Sequence, residues 1–179
     1  MRLDEKPIIR PCQATEVATI EAIINQAAQA YRNVIPPDCW HEPYLRRSEL
    51  DAEIADGVKF WGCEEFNHLV GIMGLQNMRG ASLIRHAYVR PNHQHRGVGS
   101  ALLTALSSQV TGRLLVGTWA GAGWAIRFYQ RHGFRLVSEK EKDQLISMYW
   151  TIPLRQRQTS VVLVRAECPR VCANTNLQI

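Results

Sequence analysis

No stretch of the 179-residue sequence is an uninterrupted apolar run long enough to cross a membrane. The first six residues, Met-Arg-Leu-Asp-Glu-Lys, are charged rather than apolar, so they lack the apolar core of an export signal. We therefore expect a cytoplasmic protein that makes no membrane contact. The length suits one domain, and the hydrophobic share of 46% is typical of a globular chain.

Paired cysteines are also missing. The sequence has five cysteines, an odd number, and none of them form a Cys-x-x-Cys motif. Structural disulfides and a zinc site are therefore not expected. Three histidines, His86, His93 and His95, lie close together in sequence, but no carboxylate or thiolate accompanies them. We predict that the protein binds no metal.

Acidic residues are absent from Arg79 through Arg135, a stretch with eight arginines, whereas Asp38 through Glu65 holds eight acidic residues. This separation favours an anionic cofactor at the basic part and a cationic amine acceptor at the acidic part. Basic residues also suggest nucleic acid, but the alternation of aromatic and basic residues that stacks bases is missing. We predict no nucleic-acid partner and keep nucleic-acid binding as a lesser alternative.

The glycine-rich segment around Gly97 and Gly99 lacks two features of common nucleotide-binding loops. Leu102 stands where a dinucleotide-binding fold needs a third glycine, and no Gly-Lys-Ser/Thr follows. The segment instead follows an apolar run that ends at Val89 and leads into the periodic apolar pattern of a helix. A loop that ends on a helix N-terminus leaves backbone N–H groups free, and these can bind a phosphate or pyrophosphate.

Two motifs at a fitting distance resemble those of the GNAT superfamily of N-acetyltransferases. The first is Gln94-x-x-Gly97-x-Gly99, and the second is Phe128-Tyr129-x-x-x-Gly133-Phe134. The resemblance covers about residues 7–152. It implies an α/β (α+β) fold with a mixed, mostly antiparallel central sheet flanked by helices on both faces.

The patterns along the chain predict where the elements of that fold lie. Helices are expected near 15–30, 48–57 and 121–132, with a further one that starts at residue 99, and strands near 7–11, 60–65, 69–75, 82–89, 113–118, 134–138 and 144–152. Residues 1–152 would form the single domain. Residues 153–179 would form a C-terminal extension with a strand at 160–164, which could pair with a second subunit in a homodimer, and a mobile tail.

The resemblance implies acetyl-CoA as a cosubstrate, held by the loop and by the end of the preceding strand. The candidate cofactor contacts are Val89, Arg90, Gln94, His95, Arg96, Gly97, Val98, Gly99 and Ser100. Ala122 departs from the family pattern, because many members have an asparagine there that contacts the cofactor.

The resemblance also assigns catalytic roles. Tyr129 would protonate the leaving thiolate, because a phenol with a pKa of about 10 keeps its proton at neutral pH. Family members often place a glutamate or histidine base on the strand before the loop, and His86 is the candidate there. Strict alternation along the strand turns His86 away from the side of Val89 unless a bulge shifts the phase, so an ordered water is the other candidate base.

Residues 31–44 form a loop with unusual content. It has three prolines, three aromatic residues, one histidine and two carboxylates, which together suggest a rigid binding wall. In the family, this loop shapes the acceptor pocket. The candidate acceptor contacts are Tyr31, Asp38, Trp40, Glu42 and Tyr44.

The sequence thus predicts an N-acetyltransferase that moves an acetyl group from acetyl-CoA to a primary amine of a small molecule or peptide. A catalytically silent acyl-CoA-binding regulatory domain of the same fold is the alternative, favoured by Ala122 and by the absence of a clear base.

Overall fold

The computed structural model describes residues 7–165, which form seven strands and six α-helices. In chain order they are β1 (Ile8–Pro11), α1 (Val17–Ala28), α2 (Arg47–Ala55), β2 (Lys59–Glu65), β3 (His68–Met78), β4 (Ala81–Val89), α3 (Val98–Ser107), β5 (Leu114–Trp119), α4 (Gly123–Arg131), β6 (Arg135–Leu136), α5 (Glu139–Tyr149), α6 (Leu154–Gln158) and β7 (Ser160–Arg165).

All seven strands belong to one sheet with the order β1-β2-β3-β4-β5-β7-β6. Every neighbouring pair is antiparallel except β4 and β5, which are parallel. The helix α3 connects these two strands, because parallel neighbours need a crossover connection. The predicted fold class is confirmed.

Helices cover both faces of the sheet. On one face α3 and α4 pack on the strands, and Leu102, Leu106 and Tyr129 bury themselves against Ile84 and Leu163. On the opposite face α1 and α2 cover β2 and β3, and α5 covers β4, β5 and β7. Alternation along the central strands supplies both cores, since successive side chains point to opposite faces.

One predicted strand is a helix in the structure. Residues 144–152 were expected to pair back onto the sheet after a charged turn, but the charged residues form the first turn of α5. Ser138 caps this helix by accepting a hydrogen bond from the N–H of Glu141 at 3.3 Å. Leu145 and Ile146 then fall on one helical face and are buried, each only 3% exposed.

The strand predicted at 160–164 forms, but it pairs within its own chain. β7 lies between β5 and β6, and its partners run from Ser160 opposite Trp119 to Arg165 opposite Leu114. The sheet therefore continues beyond residue 152, and β7 has a strand of its own chain on each side, β5 along its whole length and β6 at Leu163 and Val164. The predicted mobile tail lies outside the described residues.

No helix in the described part of the chain is both long enough and apolar enough to span a membrane.

Candidate functional site

The strands β4 and β5 separate halfway along their length. Their pairing ends at Ile84 opposite Val116, although β4 continues to Val89 and β5 to Trp119. A cavity of about 1040 Å³ opens at this gap and reaches both faces of the sheet. One part of it touches the loop before α3, and another touches α2 and the loop after α1.

The loop before α3 presents a row of unpaired backbone donors. Among the described residues, no backbone carbonyl accepts a hydrogen bond from the N–H groups of residues 95–100. These six groups lie at the positive end of α3, a helix of 10 residues. The arrangement can bind a phosphate or pyrophosphate, as the sequence predicts.

The backbone of this loop turns through two left-handed residues, His95 with φ +61° and Gly97 with φ +84°. A Cβ atom at Gly97 would meet no heavy atom within 4 Å, so the space in front of it is open. Glycine is suited to this position because it takes a positive φ without steric cost. It also leaves room for an anion to approach the main chain.

Two of the predicted side-chain contacts in the loop are already engaged. The Gln94 amide donates to the carbonyl of Val89 at 3.2 Å and so fixes the loop to the end of β4. The Ser100 hydroxyl lies 3.0 Å from Nε2 of His132, whose Nδ1 donates to the carbonyl of Phe128 at 2.8 Å. With Nδ1 bonded in this way, Nε2 is the ring nitrogen that engages the Ser100 hydroxyl. Ser100 therefore offers a ligand its backbone N–H rather than its hydroxyl.

Arg90 and Arg96 were also predicted to contact the cofactor, but the structure does not leave them available at the cavity. The N–H of Arg90 donates to Val70, its carbonyl accepts from His93, and its side chain donates to the carbonyl of Leu69 and to Gln26. Both main-chain groups expected to bind cofactor are thus committed within the fold. The Arg96 side chain is exposed, and Arg96 does not line the cavity.

β4 contains a bulge, but it leaves His86 on the face opposite Val89, as alternation between these two residues predicts. The pairing of β3 with β4 passes from Gly74 opposite Arg85 to Ile72 opposite Tyr88, which leaves one extra residue in β4. His86 is the bulged residue, with φ +49°. Its ring lies between those of Phe60 and Tyr88, with centroids 6.2 and 6.3 Å away.

His86 is paired with a carboxylate that the sequence analysis missed. Nε2 of His86 lies 2.5 Å from Oε2 of Glu53, on α2, and both residues line the cavity. Burial acts to raise the pKa of Glu53, but the hydrogen bond and charge of His86, with the charge of Arg85, outweigh it and lower that pKa. Glu53 is therefore ionised at neutral pH and can stabilise positive charge on the imidazole.

Tyr129 lines the cavity from α4 and is only 4% exposed. Its ring packs edge-on against Phe128 and Phe134, at centroid distances of 5.1 and 5.3 Å. Burial, together with the neighbouring Tyr31, raises the pKa of Tyr129 well above its ordinary value. Its hydroxyl thus remains a proton donor at neutral pH.

Of the five residues predicted to contact an acceptor, Tyr31, Asp38 and Tyr44 line the cavity. Tyr31 and Tyr44 pack edge-on against Tyr88, at 6.2 and 6.3 Å between centroids. Asp38 accepts a hydrogen bond from Nε of Arg155 at 2.9 Å, which ties this loop to α6 beside the cavity.

Trp40 and Glu42 do not line the cavity. Trp40 stacks on Tyr44, with centroids 5.6 Å apart, and joins the apolar cluster around Ile35. In this position Trp40 packs against Tyr44, a residue that lines the cavity. Glu42 is exposed and accepts a hydrogen bond from Gln29 at 3.2 Å.

The structure adds residues to the acceptor side that the sequence analysis missed. Trp124, on α4, lines the cavity and packs 5.1 Å from Tyr31, and Tyr88 joins the same aromatic wall. The residues come from three distant parts of the chain, so spacing alone could not group them. Within residues 7–165, no three histidine, cysteine, aspartate or glutamate side chains are grouped to hold a metal ion.

Comparisons with known proteins agree with this geometry. Residues 56–136 match the family model of the acetyltransferase (GNAT) domain, a segment that includes the bulge, the loop and Tyr129. A search of curated proteins finds no match.

Solved structures share the fold at low identity. A GNAT-family acetyltransferase from Staphylococcus aureus aligns with a TM-score of 0.69 and 17% identity, over 90% of this chain and 99% of that one. The PaiA N-acetyltransferase from Thermoplasma acidophilum, solved with coenzyme A, gives 0.67 and 15% over 90% and 99%. The ribosomal-protein-S18-alanine N-acetyltransferase from Escherichia coli gives 0.66 and 15% over 97% and 100%. Residues 56–136 thus match the GNAT acetyltransferase domain, and the described chain shares the fold of solved GNAT-family structures.

Proposed function

We propose that this protein is an N-acetyltransferase that moves the acetyl group of acetyl-CoA to a primary amine of a small molecule or peptide. One observation carries the proposal: six unpaired N–H groups at the start of α3 stand beside the gap between β4 and β5. The N–H groups suit a diphosphate, and the gap leaves the edge of β4 free to pair with the extended arm of the cosubstrate. Coenzyme A in the Thermoplasma acidophilum structure supports the choice of ligand.

In this proposal the backbone N–H groups of residues 95–100 hold the diphosphate. The main chain of Val89, on the unpaired edge of β4, lies along the arm that leads to the thioester. Each charge-assisted hydrogen bond contributes roughly 1.5–3 kcal/mol, so several of them can anchor the cosubstrate. The buried Ala122 adds no polar contact.

Acetyl-CoA supplies a thioester as the acetyl donor when it is bound. His86 accepts the proton that the incoming ammonium must lose, and Glu53 stabilises the imidazolium that results. As the amine nitrogen bonds to the carbonyl carbon, the carbon–sulfur bond breaks. Tyr129 then gives its phenolic proton to the departing sulfur, and the second proton of the attacking nitrogen passes to the Tyr129 phenolate, so that a neutral amide and a thiol leave the site.

A thiol-release assay with acetyl-CoA and a panel of primary amines tests the proposal. We expect amine-dependent release of coenzyme A and an acetylated product detected by mass spectrometry. Calorimetric binding of acetyl-CoA without release in the presence of any amine would instead identify a silent acyl-CoA-binding domain. The panel includes diamines, aminoglycosides, amino acids and short peptides, because these differ in charge and size.

A further inference from the structure

The bulge at His86 brings two consecutive side chains to the same face of the sheet. Arg85 lies opposite Gly74, and its guanidinium is 5.7 Å from the centroid of the Trp150 ring. His86 lies between Phe60 and Tyr88 on that same face. Without the bulge, neighbouring residues of a strand would point to opposite faces. Arg85 and His86 thus both line the acceptor side of the cavity.

The partners of Arg85 are neutral. Nε and Nη2 donate to Oε1 of Gln76 at 3.1 and 2.9 Å, and Nη2 also lies 3.5 Å from the carbonyl of Tyr149. Gln76 is 7% exposed, and its own amide donates to the carbonyl of Asp56 at 3.0 Å, which fixes the direction of Oε1. The guanidinium is therefore held in place by neutral hydrogen-bond partners, and the carboxylate whose charge acts on it, Glu53, is hydrogen-bonded to His86 instead.

Two other acidic residues on this side of the cavity have counter-ions, whereas the exposed Glu49 on α2 also lines it and forms no ion pair within residues 7–165. Asp38 is paired with Arg155, and Glu53 is paired with His86. Among the described residues no carboxylate lies within ion-pair distance of Arg85, although its side chain is half-buried. Arg127 and Arg131 also line the cavity, but both are exposed on α4. Arg85 is thus the half-buried cation beside the proposed base.

We propose that Arg85 binds a carboxylate of the acceptor, and that the acceptor is an amino acid or a similar molecule with a carboxylate near its amine. This inference rests on the proposed acetyl transfer and names its substrate class. Nε and Nη2 of Arg85 donate to Gln76, so Nη1 is the nitrogen left to donate to a carboxylate, and a partly desolvated cation gains most from an anionic partner. Because Arg85 and His86 are adjacent, an acceptor held at Arg85 presents its amine close to the base.

The first test uses the wild-type protein and matched acceptors. The proteinogenic amino acids are offered with acetyl-CoA, each as the free acid and as its α-carboxamide, and kcat/KM is measured by thiol release. At least one free acid should exceed its amide by about 10²-fold or more, since only the acid balances the charge of Arg85. Equal or faster acetylation of the amides would overturn the carboxylate site while leaving acetyl transfer intact. Acetylation of other amines with no activity on either series would also overturn it.

The second test assigns the preference to Arg85. In Arg85→Gln, kcat/KM for the preferred free acid should fall about 10²-fold, while the value for its amide should stay near that of wild type. Arg85→Lys keeps the charge without the guanidinium and should retain part of the preference. Arg79→Gln, which removes an exposed arginine at the turn between β3 and β4, serves as the control and should change neither value. Equal losses for acid and amide in Arg85→Gln, with an unchanged melting temperature, would refute the assignment.

Discussion

At the scale of single residues, the left-handed backbone of His86 decides which side chains reach the acceptor end of the cavity. A histidine with φ +49° is uncommon, and no neighbouring glycine or asparagine indicates a left-handed residue here. Strict alternation therefore predicted the wrong face for His86, Ala87 and Val89 relative to Ile84. The loop of residues 95–100 was predictable because proline and glycine act locally, on the backbone of their own segment.

Replacing His86 tests whether it is the base. His86→Asn should lower kcat by about 10²-fold at neutral pH, because the attacking ammonium loses its proton acceptor. Glu53→Gln should give a smaller loss, since it keeps a hydrogen-bonding partner and removes only the charge that stabilises the imidazolium. Steady-state kinetics at saturating acetyl-CoA measure both. Wild-type kcat in His86→Asn would mean that a water molecule accepts the proton.

Replacing Tyr129 tests the proton donor. Tyr129→Phe keeps the ring that packs on Phe128 and Phe134 and removes only the hydroxyl. We expect kcat to fall by about 10²–10⁴-fold while the Kd for coenzyme A stays unchanged. Calorimetry and thiol release on the same preparation give both quantities. If the affinity fell as much as kcat, the hydroxyl would have a binding role instead.

At the scale of elements, sequence patterns did not predict the last two helices or the place of β7 in the sheet. The apolar residues of 144–152 fit a strand or a helix, and the charged residues before them fit a turn or a helix start. Tertiary contacts with Leu83 and Leu115 decide for α5. β7 lies between β5 and β6, and it pairs with residues of β5 that come 40 or more positions earlier in the chain. Local sequence patterns do not encode such pairing.

Deleting the end of the chain tests the position of β7. A chain that ends at Ile152 loses β7, the strand that joins β6 to β5. Its removal exposes Leu115 to water, together with the residues of β5 and β6 that pair with Leu163. We expect this truncation to lose cooperative thermal unfolding and to aggregate. The control chain ends at Arg165 and retains every described strand. A cooperative transition in the shorter chain would contradict the structural role of β7.

The attachment of β1 gives a pH prediction. Arg10 donates to Glu16 at 2.8 and 2.9 Å and to Glu64 at 2.7 Å, which ties β1 to β2 and to the turn before α1. The hydrogen bond from Arg10 lowers the pKa of Glu16. Below the ordinary carboxyl pKa of about 4.3, the unfolded chain therefore binds more protons than the folded one. This part of the stability is present above that pH and is lost as the pH falls through the lowered pKa.

Urea unfolding at a series of pH values measures this contribution. The midpoint should fall as the pH drops from about 5 to about 3, and Glu16→Gln should make that fall shallower. Glu42→Gln, which removes an exposed carboxylate, should reproduce the wild-type slope. Identical slopes for Glu16→Gln and wild type would show that the Arg10 cluster does not stabilise the fold.

At the scale of the whole molecule, the two regions of opposite charge in the sequence meet across the gap between β4 and β5. At one end the loop of residues 95–100 presents N–H groups without backbone acceptors, and in our proposal these groups rather than the neighbouring arginines bind the diphosphate. At the other end the acidic residues are largely paired, Asp38 with Arg155 and Glu53 with His86. Net charge pointed to these two regions, but which groups stay free depends on contacts that only the folded chain makes.

Calorimetric titration of acetyl-CoA into wild type, Gly97→Asp and Gly97→Asn tests the central claim most directly. Both variants share the cost of a side chain at φ +84°, and asparagine and aspartate have nearly the same shape, so their difference reports charge alone. We predict that wild type binds and that Gly97→Asp binds at least about 10-fold more weakly than Gly97→Asn, because its carboxylate repels the diphosphate. No binding by wild type, or equal affinity in the two variants, would contradict an anion-binding loop at the start of α3.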